Sequence, residues 1–492
     1  MSAVVEAARS PRLARSWSVA VIAALGAGAF LLGLGIAAVS TLFGDLAPII
    51  FLAVPLVPLL ALWTLATPLV GALLVLATFS IGSVGTPVGP ITVQAVEVAV
   101  IVVAMLVALH RLAVGLPPFR WTPALIWPIA LLAWMLVSLY SAIDEARALK
   151  VLVSLAGGIA FAATVVTACR DMVDVRRFLG AFTLVGTGIA VTALSSGGEF
   201  RSEFGGSAVV SGRLQGALDH PNQLGTLCAL FAPVAASLVV GARTARARVA
   251  SAVALSLILA ALLLSLSRGA WLGTFLAFLF MLFTLRETRR LLAIASVPLV
   301  ALLIGFAWVS PSTTETKVIG ERARAFAERS PYDKRDAIYA EAVREILADP
   351  VTGQGPGSFA IASARAGSEA TTVSAQHAHN LFLTWAAESG LPTAVIIVGF
   401  IVALGFAARR GKREALSRGD RQDVALVVGL SAALIAVLGQ FMVDYTLGNS
   451  VVHIALWSTI GALLACSHRA VRPARRRRAG RRRPRLGGPV GV

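Results

Sequence analysis

Cysteine and charged residues are scarce in this chain of 492 residues. There are three cysteines and no C-x-x-C pair, which argues against a disulfide framework and against a metal site built from thiolates. Only 14% of the residues are charged, whereas 57% are hydrophobic, so the composition lies far outside the range of soluble domains. The sequence therefore predicts a protein embedded in a membrane.

Three other patterns are also missing from the sequence. The apolar residues do not alternate as they do in the strands of a membrane barrel. No cleavable signal is evident, because the first apolar run, 18–43, is longer than the apolar region of a signal peptide. No internal repeat indicates a transporter built from inverted halves. The fold class that remains is all-α, a polytopic bundle of transmembrane helices with one large helical loop.

The transmembrane helices are predicted from apolar runs that approach the roughly 20 residues needed to cross a bilayer. The proline-rich pair 46–64 and 67–82 could include a re-entrant segment, so we predict 12–14 spans. The predicted spans are 18–43, 46–64, 67–82, 91–109, 123–142, 148–169, 176–195, 221–241, 249–266, 270–285, 290–309, 390–408, 424–444 and 451–467.

These spans divide the chain into five predicted parts. Residues 1–17 form a cytoplasmic segment, and residues 18–309 carry the first eleven transmembrane helices. Residues 310–389 form a large polar loop outside the cytoplasm, and residues 390–467 carry the last three helices. The remaining residues, 468–492, form an arginine-rich tail.

Positive charge fixes the predicted topology. An even number of spans places both termini on one side, and nine arginines fall between Arg472 and Arg485 in the tail. Arginine and lysine collect on the cytoplasmic side, and every short loop that this count assigns to that side is basic. We therefore expect a protein of the cytoplasmic membrane with its large loop outside. The tail is predicted to be disordered and to lie against anionic lipid rather than to bind nucleic acid.

The large loop has predicted structure of its own. Tyr332 to Leu347 has the pattern of an amphipathic helix, which Asp349 and Pro350 end. The glycine-rich segment 353–357 is predicted to be a tight turn that lets backbone approach a ligand or the membrane. It is not a phosphate-binding loop, because no strand precedes it and no Gly-Lys-Ser/Thr follows. The apolar side of the helix is predicted to consist of Ile338, Val343, Ile346 and Leu347.

Two histidines, His377 and His379, close this loop just before the next span. Imidazole titrates near neutral pH, so a histidine there can accept a proton from a substrate. The alternative is a pair of solvated loop histidines. Since no acidic residue lies near them at ligand spacing in the sequence, we predict neither a metal site nor a cofactor.

Two arginines, Arg213 and Arg268, lie in segments predicted to be outside, each beside a span. Charge there runs against the positive-inside bias and is costly near lipid. Guanidinium groups hold phosphate oxygens in a bidentate fork, although either arginine could instead contact lipid headgroups. Asn222, in the first turn of the next span, is either a helix cap or a substrate contact. Taken alone, Arg335 fits a structural role.

Several motifs, in their order along the chain, resemble one family. They are Arg213-x-x-Gly216 with Pro221-Asn222, then Ser267-Arg268, then Arg335 through Pro350-x-x-Gly353-x-Gly355, and finally His379-Asn380-x9-Gly390-x-x-Thr393. Arranged around one large external loop, they resemble the O-antigen ligase family, the Wzy-C-like membrane glycosyltransferases. The resemblance covers about residues 200–400, and the N-terminal spans match only in hydropathy.

The resemblance implies an inverting transferase that has a GT-C-like fold and needs no metal ion. Such an enzyme moves a glycan from a polyprenyl diphosphate carrier to an acceptor hydroxyl on the outer face of the membrane. Carried onto this sequence, His379 is the expected catalytic base, and Arg213 and Arg268 are expected to hold the donor diphosphate. Further candidates for substrate contacts are Arg335, His377, Asn380 and Asn222.

Two other functions stay open from the sequence. A polysaccharide polymerase of the same superfamily would use the same chemistry with a different acceptor. A transporter should instead place charged residues within its spans, whereas here the polar residues cluster at the external face, with Asp444 as the nearest exception. The acceptor could be a polysaccharide, a teichoic-type polymer, a lipid or a protein.

Overall fold

The structure is a computed structural model that describes residues 60–81, 85–88, 91–196, 213–285, 335–365 and 377–468. In this part of the chain, nine helices are long and apolar enough to cross a membrane, and two shorter apolar helices accompany them. The predicted class, a polytopic bundle of helices, is thereby confirmed. The predicted spans 18–43 and 290–309, most of 46–64, and nearly all of the tail lie outside the described residues.

The described helices before the large loop follow the predicted spans closely, and a short antiparallel hairpin of two strands precedes the second of them. The helices are α1 (Pro68–Ala77), α2 (Ala95–Ala113), α3 (Ile126–Ser138), α4 (Glu145–Ala168), α5 (Met172–Ser196), α6 (Pro221–Gly241), α7 (Ala245–Leu264) and α8 (Arg268–Thr284). The strands are β1 (Gly85–Val88) and β2 (Ile91–Gln94). Three turns of 3-10 helix lie at Thr78–Ile81, Pro123–Leu125 and Leu139–Ser141.

The helices within and after the large loop complete the bundle. Those of the loop are α9 (Arg335–Ala348), α10 (Phe359–Arg365) and α11 (Leu381–Ser389). The last three apolar helices are α12 (Leu391–Ser417), α13 (Arg421–Phe441) and α14 (Ser450–His468). Helix α12 continues past its predicted apolar run, so the basic segment that starts at Arg409 is helical rather than a loop.

Capping side chains explain where several helices begin. The carboxylate of Asp144 accepts a hydrogen bond from Arg147 N at 3.0 Å at the start of α4. Thr244 does the same for α7 through Ala247 N at 3.2 Å, and Asp420 caps α13 through Gln422 N at 3.0 Å. Such side chains satisfy backbone donors that have no partner within the helix, and they fix the boundary.

The centre of the bundle is formed by α6, α13 and α14, which are the most deeply buried of the apolar helices described. Helix α6 packs against α7 and α13, α13 also packs against α8, and α14 packs against α4. Small residues allow the close approaches: a side chain at Gly273 of α8 would collide with the backbone of Ala436. Membrane helices pack closely where such small residues meet.

The helix in the large loop is present, but its predicted apolar side is partly wrong. Ile338 and Ile346 are buried as expected, whereas Val343 is 46% exposed and Leu347 is 74% exposed. The buried side is completed by Ala342 and by the acidic residues Glu341 and Glu345. Helix α9 rests on α11 and α10, and this contact rather than the hydropathy of single residues selects the buried side.

The glycine-rich turn approaches protein backbone at two of its glycines. Gly353 and Gly355 have φ angles of 66° and 95°, in the left-handed region that favours glycine. A side chain at Gly353 would meet the backbone of Glu388, and one at Gly355 would meet Ala142. Burial raises the pKa of the Glu388 carboxyl to about 7, although hydrogen bonds from backbone N–H groups of the turn oppose this shift. The close contacts of Gly353 and Gly355 with backbone therefore hold the large loop against the end of the helical bundle.

Candidate active site

The candidate histidine, His379, lies at a strained turn immediately before α11. Its φ angle is 50°, which is uncommon for a residue with a side chain. The next residue, Asn380, caps α11 by accepting hydrogen bonds from Phe382 N at 2.9 Å and Leu383 N at 3.1 Å. Asn380 Nδ2 also donates to Met442 O at 2.9 Å. These bonds use both ends of the Asn380 amide, and they hold His379 against the turn between α13 and α14.

One other described non-glycine residue has a left-handed backbone, and it lies beside the second candidate group. This residue is Leu266, with a φ angle of 52°, two positions before Arg268. Strained backbone of this kind persists where the surrounding structure enforces it, and it clusters at functional sites. Both strained residues therefore lie in the segments that the sequence singled out.

An aspartate far away in the sequence completes the histidine site. Nδ1 of His379 lies 2.7 Å from Oδ1 of Asp444. Asp444 is 4% exposed, and His379 is part-buried, with 30% of its side chain exposed. A carboxylate at Nδ1 orients the imidazole and leaves Nε2 as the ring nitrogen that can accept a proton. This pair has the geometry of a histidine base held by an acidic partner.

The charge of Asp444 is stabilised within this site. Burial would raise the pKa of its carboxyl, but the hydrogen bond from His379 and the attraction of that imidazole hold the pKa well below its usual range. Asp444 also accepts a hydrogen bond from Tyr445 N at 2.9 Å. The carboxylate is therefore ionised at neutral pH and can stabilise a positive imidazolium.

The sequence prediction placed Asp444 at the end of a span, and this placement is wrong. Helix α13 ends at Phe441, and Asp444 lies in the turn before α14. Hydrogen bonds anchor this turn to α6, because the hydroxyls of Thr446 and Thr226 lie 3.0 Å apart and Asn449 Nδ2 donates to Gln223 Oε1 at 3.1 Å. Asp444 is thus a fixed member of the polar site at the end of the bundle.

The first candidate arginine connects to the same aspartate through an asparagine. Arg213 is 8% exposed, and its Nε donates to Ser265 O at 3.1 Å. Its Nη2 donates to Asn222 Oδ1 at 2.7 Å, and Asn222 Nδ2 donates to Asp444 Oδ2 at 2.7 Å. A continuous chain of hydrogen bonds therefore runs from Arg213 through Asn222 and Asp444 to His379.

The second candidate arginine, Arg268, is the first residue of α8. The turn before it is joined to the Arg213 segment, since Leu214 N donates to Leu264 O at 3.0 Å and Arg213 donates to Ser265. The start of a helix favours anions, because unpaired N–H groups and the helix dipole both point there. The structure thus brings the two arginine-bearing segments side by side.

Two more histidines line the site in the neutral form. Burial and the nearby charge of His379 lower the pKa of His377 to about 4. Burial and the charge of Arg213 lower the pKa of His220 to about 4. The His377 ring meets the His379 ring edge-on at 4.6 Å and lies 5.3 Å from the ring of Tyr445. His377 and His220 are therefore uncharged neighbours of the His379–Asp444 pair.

The remaining candidate, Arg335, begins α9 in the large loop. Helix α9 packs on α11, the helix that follows His379. The structure places His377, His379, Asn380, Arg213 and Asn222 around one turn, and Asp444 is the member that the sequence analysis did not propose.

Within the described residues, one group of side chains is close enough to share a metal ion. Ligand atoms of His377, His379 and Asp444 lie within 4.8 Å of one another. The sequence analysis argued against a metal site because no acidic residue lies near the two histidines along the chain. In the folded protein, Asp444 is such a neighbour. In this arrangement, however, Nδ1 of His379 is already hydrogen-bonded to the Asp444 carboxylate.

A long apolar cavity of about 380 Å³ opens beside the site. At the end next to His379 it is lined by Leu381 and Trp385 of α11, and at the other end it reaches Arg409 of α12. From Ile396 to Arg409 it follows α12 for about 20 Å, taking 1.5 Å for each residue. Its walls, mainly α12, α13 and α14, are almost entirely apolar, so it suits a long hydrocarbon chain.

Residues 252–398 match the family model described as Wzy_C: O-Antigen ligase. The match confirms the resemblance drawn from the sequence over these residues, which include Arg268, Arg335 and His379. It begins after Arg213 and ends before Asp444, so it does not cover those two residues of the site. No curated protein matches the chain.

Proposed function

We propose that this protein is a membrane glycosyltransferase of the O-antigen ligase type. It transfers a glycan from a polyprenyl diphosphate carrier to an acceptor hydroxyl at the outer face of the cytoplasmic membrane. The observation that carries the proposal is the His379–Asp444 pair, joined by hydrogen bonds to Arg213 within a bundle of apolar helices. The family match and the apolar helices support the coarser statement, a membrane protein of the O-antigen ligase type.

The chemistry is a direct displacement at the anomeric carbon of the donor sugar. The acceptor oxygen forms a bond to this carbon while the bond from the carbon to the diphosphate oxygen breaks. His379 Nε2 takes the proton of the acceptor hydroxyl, and Asp444 stabilises the imidazolium that results. Negative charge builds up on the departing diphosphate, where Arg213 and Arg268 supply compensating charge. A single displacement of this kind inverts the anomeric configuration.

Arginine-to-lysine substitutions test whether Arg213 and Arg268 together bind the donor diphosphate, an arrangement called the diphosphate clamp here. We expect Arg268→Lys and Arg213→Lys each to lower kcat/KM for the donor on the order of 10–100-fold, because lysine keeps the charge but loses the bidentate fork. Steady-state kinetics in detergent or liposomes measure this effect. Arg147→Lys is the control, since Arg147 lies in the first turn of an apolar helix as Arg268 does, but its side chain is 55% exposed and pairs with Asp144. Near-normal turnover in both site variants would exclude the clamp.

The apolar cavity supports a substrate with a polyprenyl chain. It begins at Leu381, two residues after His379, and descends between the helices away from the polar site. A carrier whose diphosphate lies by the arginines could place its chain there, shielded from the rest of the lipid. This arrangement explains why a catalytic loop is tied to so many apolar helices.

Activity is expected to persist in EDTA. The two arginines supply the positive charge that a metal ion would otherwise provide, and Asp444 already occupies Nδ1 of His379. Transfer by the purified protein should therefore be the same with and without chelator. If EDTA abolishes transfer and Mg²⁺ or Mn²⁺ restores it, the group formed by His377, His379 and Asp444 holds a metal and His379 is not the base.

The sidedness of the site is tested with single cysteines. The three native cysteines, which are buried, are replaced first. A cysteine at Leu347, an exposed position of α9, should react with a membrane-impermeant thiol reagent in intact cells with a permeable wall. A cysteine at Ser417, the last residue of α12, should react only after lysis. The reverse pattern would place the site on the cytoplasmic side and contradict the proposed use of a flipped donor.

The experiment that tests the proposal as a whole is transfer by the purified protein in liposomes. A polyprenyl diphosphate-linked oligosaccharide is supplied with candidate acceptors, and the release of polyprenyl diphosphate is measured together with the glycosylated product. If a second donor molecule serves as acceptor, the protein is a polymerase of the same superfamily; if a different hydroxyl compound does, it is a ligase. Transport of the donor without any new glycosidic bond would refute the proposal.

A further inference from the structure

We propose that Asn222 is a positioning residue that couples the diphosphate-binding arginine to the catalytic histidine, an inference that rests on the proposed function. Sequence analysis left Asn222 as either a helix cap or a substrate contact. In the structure its side-chain oxygen accepts from Arg213 at 2.7 Å, and its side-chain nitrogen donates to Asp444 at 2.7 Å. Asn222 therefore connects the two halves of the site rather than facing the substrate.

An amide is the side chain that suits this position. Its oxygen can only accept and its nitrogen can only donate, so one residue can bind a guanidinium on one side and a carboxylate on the other. A carboxylate at the same place could bind Arg213 but would face Asp444 with a second negative charge. An apolar side chain would leave both partners without this contact, inside a site where Arg213 and Asp444 are each less than a tenth exposed.

The backbone around Asn222 holds this amide in place. Asn222 lies in the first turn of α6, directly after Pro221, which favours that position in a helix. Its backbone N–H donates to His220 Nδ1 at 3.0 Å, and its carbonyl accepts from the Thr226 hydroxyl at 2.7 Å. Since the backbone is fixed by groups other than the side chain, substitution of the amide changes the coupling while these backbone contacts remain.

The coupling has a defined consequence for the reaction. Asp444 uses Oδ1 for His379 and Oδ2 for Asn222, so the amide sets which carboxylate oxygen faces the imidazole. The oxygen of the same amide holds the guanidinium of Arg213 beside Ser265. Loss of Asn222 is therefore expected to weaken donor binding and to slow the chemical step at the same time, although Asn222 itself touches neither reacting atom.

Two substitutions of Asn222 distinguish its contact with Arg213 from its contact with Asp444. Asn222→Ala removes both, so KM for the donor should rise and kcat should fall, with kcat/KM lower by roughly 10- to 100-fold, as expected for hydrogen bonds to charged groups. Asn222→Asp keeps an acceptor for Arg213 but cannot donate to Asp444. This variant should show a donor KM near that of the wild type and a reduced kcat. Gln422→Ala is the matched control, because it removes an amide that accepts from Arg176 Nη1 at 3.3 Å in the first turn of α13, at the end of that helix opposite to Asp444. This variant should retain both constants.

The kinetics are measured in the liposome transfer assay alongside the wild type and His379→Ala. The coupling is supported if Asn222→Ala changes both KM and kcat while Asn222→Asp changes kcat alone. Simple loss of folded protein would instead lower kcat in both variants without raising KM. Wild-type constants in Asn222→Ala, or a raised KM with unchanged kcat in both variants, would overturn it. Failure of the wild type to transfer glycan at all would instead count against the proposed function, so the two outcomes are distinguishable.

Discussion

Replacement of His379 by alanine is expected to lower glycan transfer by about 100-fold or more while the protein still inserts into the membrane. General-base catalysis contributes typically about 10²–10⁴-fold, and His379 is the imidazole whose Nδ1 lies 2.7 Å from the Asp444 carboxylate. Initial rates of transfer at saturating donor measure the loss. Transfer above about a tenth of the wild-type rate would rule out His379 as the base.

The left-handed backbone of His379 requires a second variant as a control. Alanine is disfavoured at a φ angle of 50°, so a loss of activity could come from a distorted turn. Asparagine tolerates this conformation much better but cannot act as a base near neutral pH. His379→Asn should therefore be as inactive as His379→Ala. His110→Ala, at the far end of α2, should retain full activity.

Asp444→Asn is expected to have the second largest effect, a loss of kcat on the order of 10²–10⁴-fold. The substitution keeps the shape of the side chain but removes the charge that stabilises a protonated imidazole. It also conflicts with its neighbours: if its oxygen accepts from His379, its nitrogen faces the Asn222 nitrogen, and both are donors. In the other orientation its nitrogen can meet His379 only by donating to an unprotonated Nδ1, which puts the ring proton on Nε2 and removes the base.

The control for Asp444→Asn lies in the same turn. Asn449 is held by Gln223 and caps the start of α14, away from the reacting groups. Asn449→Ser should keep a capping oxygen and most of the transfer activity. If Asp444→Asn is as active as Asn449→Ser, the carboxylate only anchors the turn, and the histidine works without an acidic partner.

Hydropathy and capping signals were sufficient to predict most of the described bundle. The span 221–241 has the bounds of α6, because Pro221 marks its start and the apolar run ends at Gly241. The helix of the large loop was also predicted, since it is long and amphipathic. The exposure of Val343 and Leu347 was not, because it depends on which neighbours α9 meets.

Only some residues of the site could be predicted from the sequence. His379, Arg213 and Arg268 stand out locally as polar residues at the ends of apolar runs. Asp444 lies 65 residues from His379, and Asn222 lies 222 residues from Asp444, so only the packing of α6 against α13 and α14 brings them together. A polar turn between two apolar helices was the one sequence signal for Asp444, and hydropathy assigned that residue to the helix instead.

The anomeric configuration of the product tests the central claim most directly. The purified protein is given a polyprenyl diphosphate-linked glycan of known configuration, and the new glycosidic bond is examined by NMR spectroscopy. A single displacement assisted by His379 predicts complete inversion, with one polyprenyl diphosphate released for each bond formed. Retention of configuration would require a covalent glycosyl intermediate or attack from the same face, and it would contradict a site in which the His379–Asp444 pair serves as the sole base.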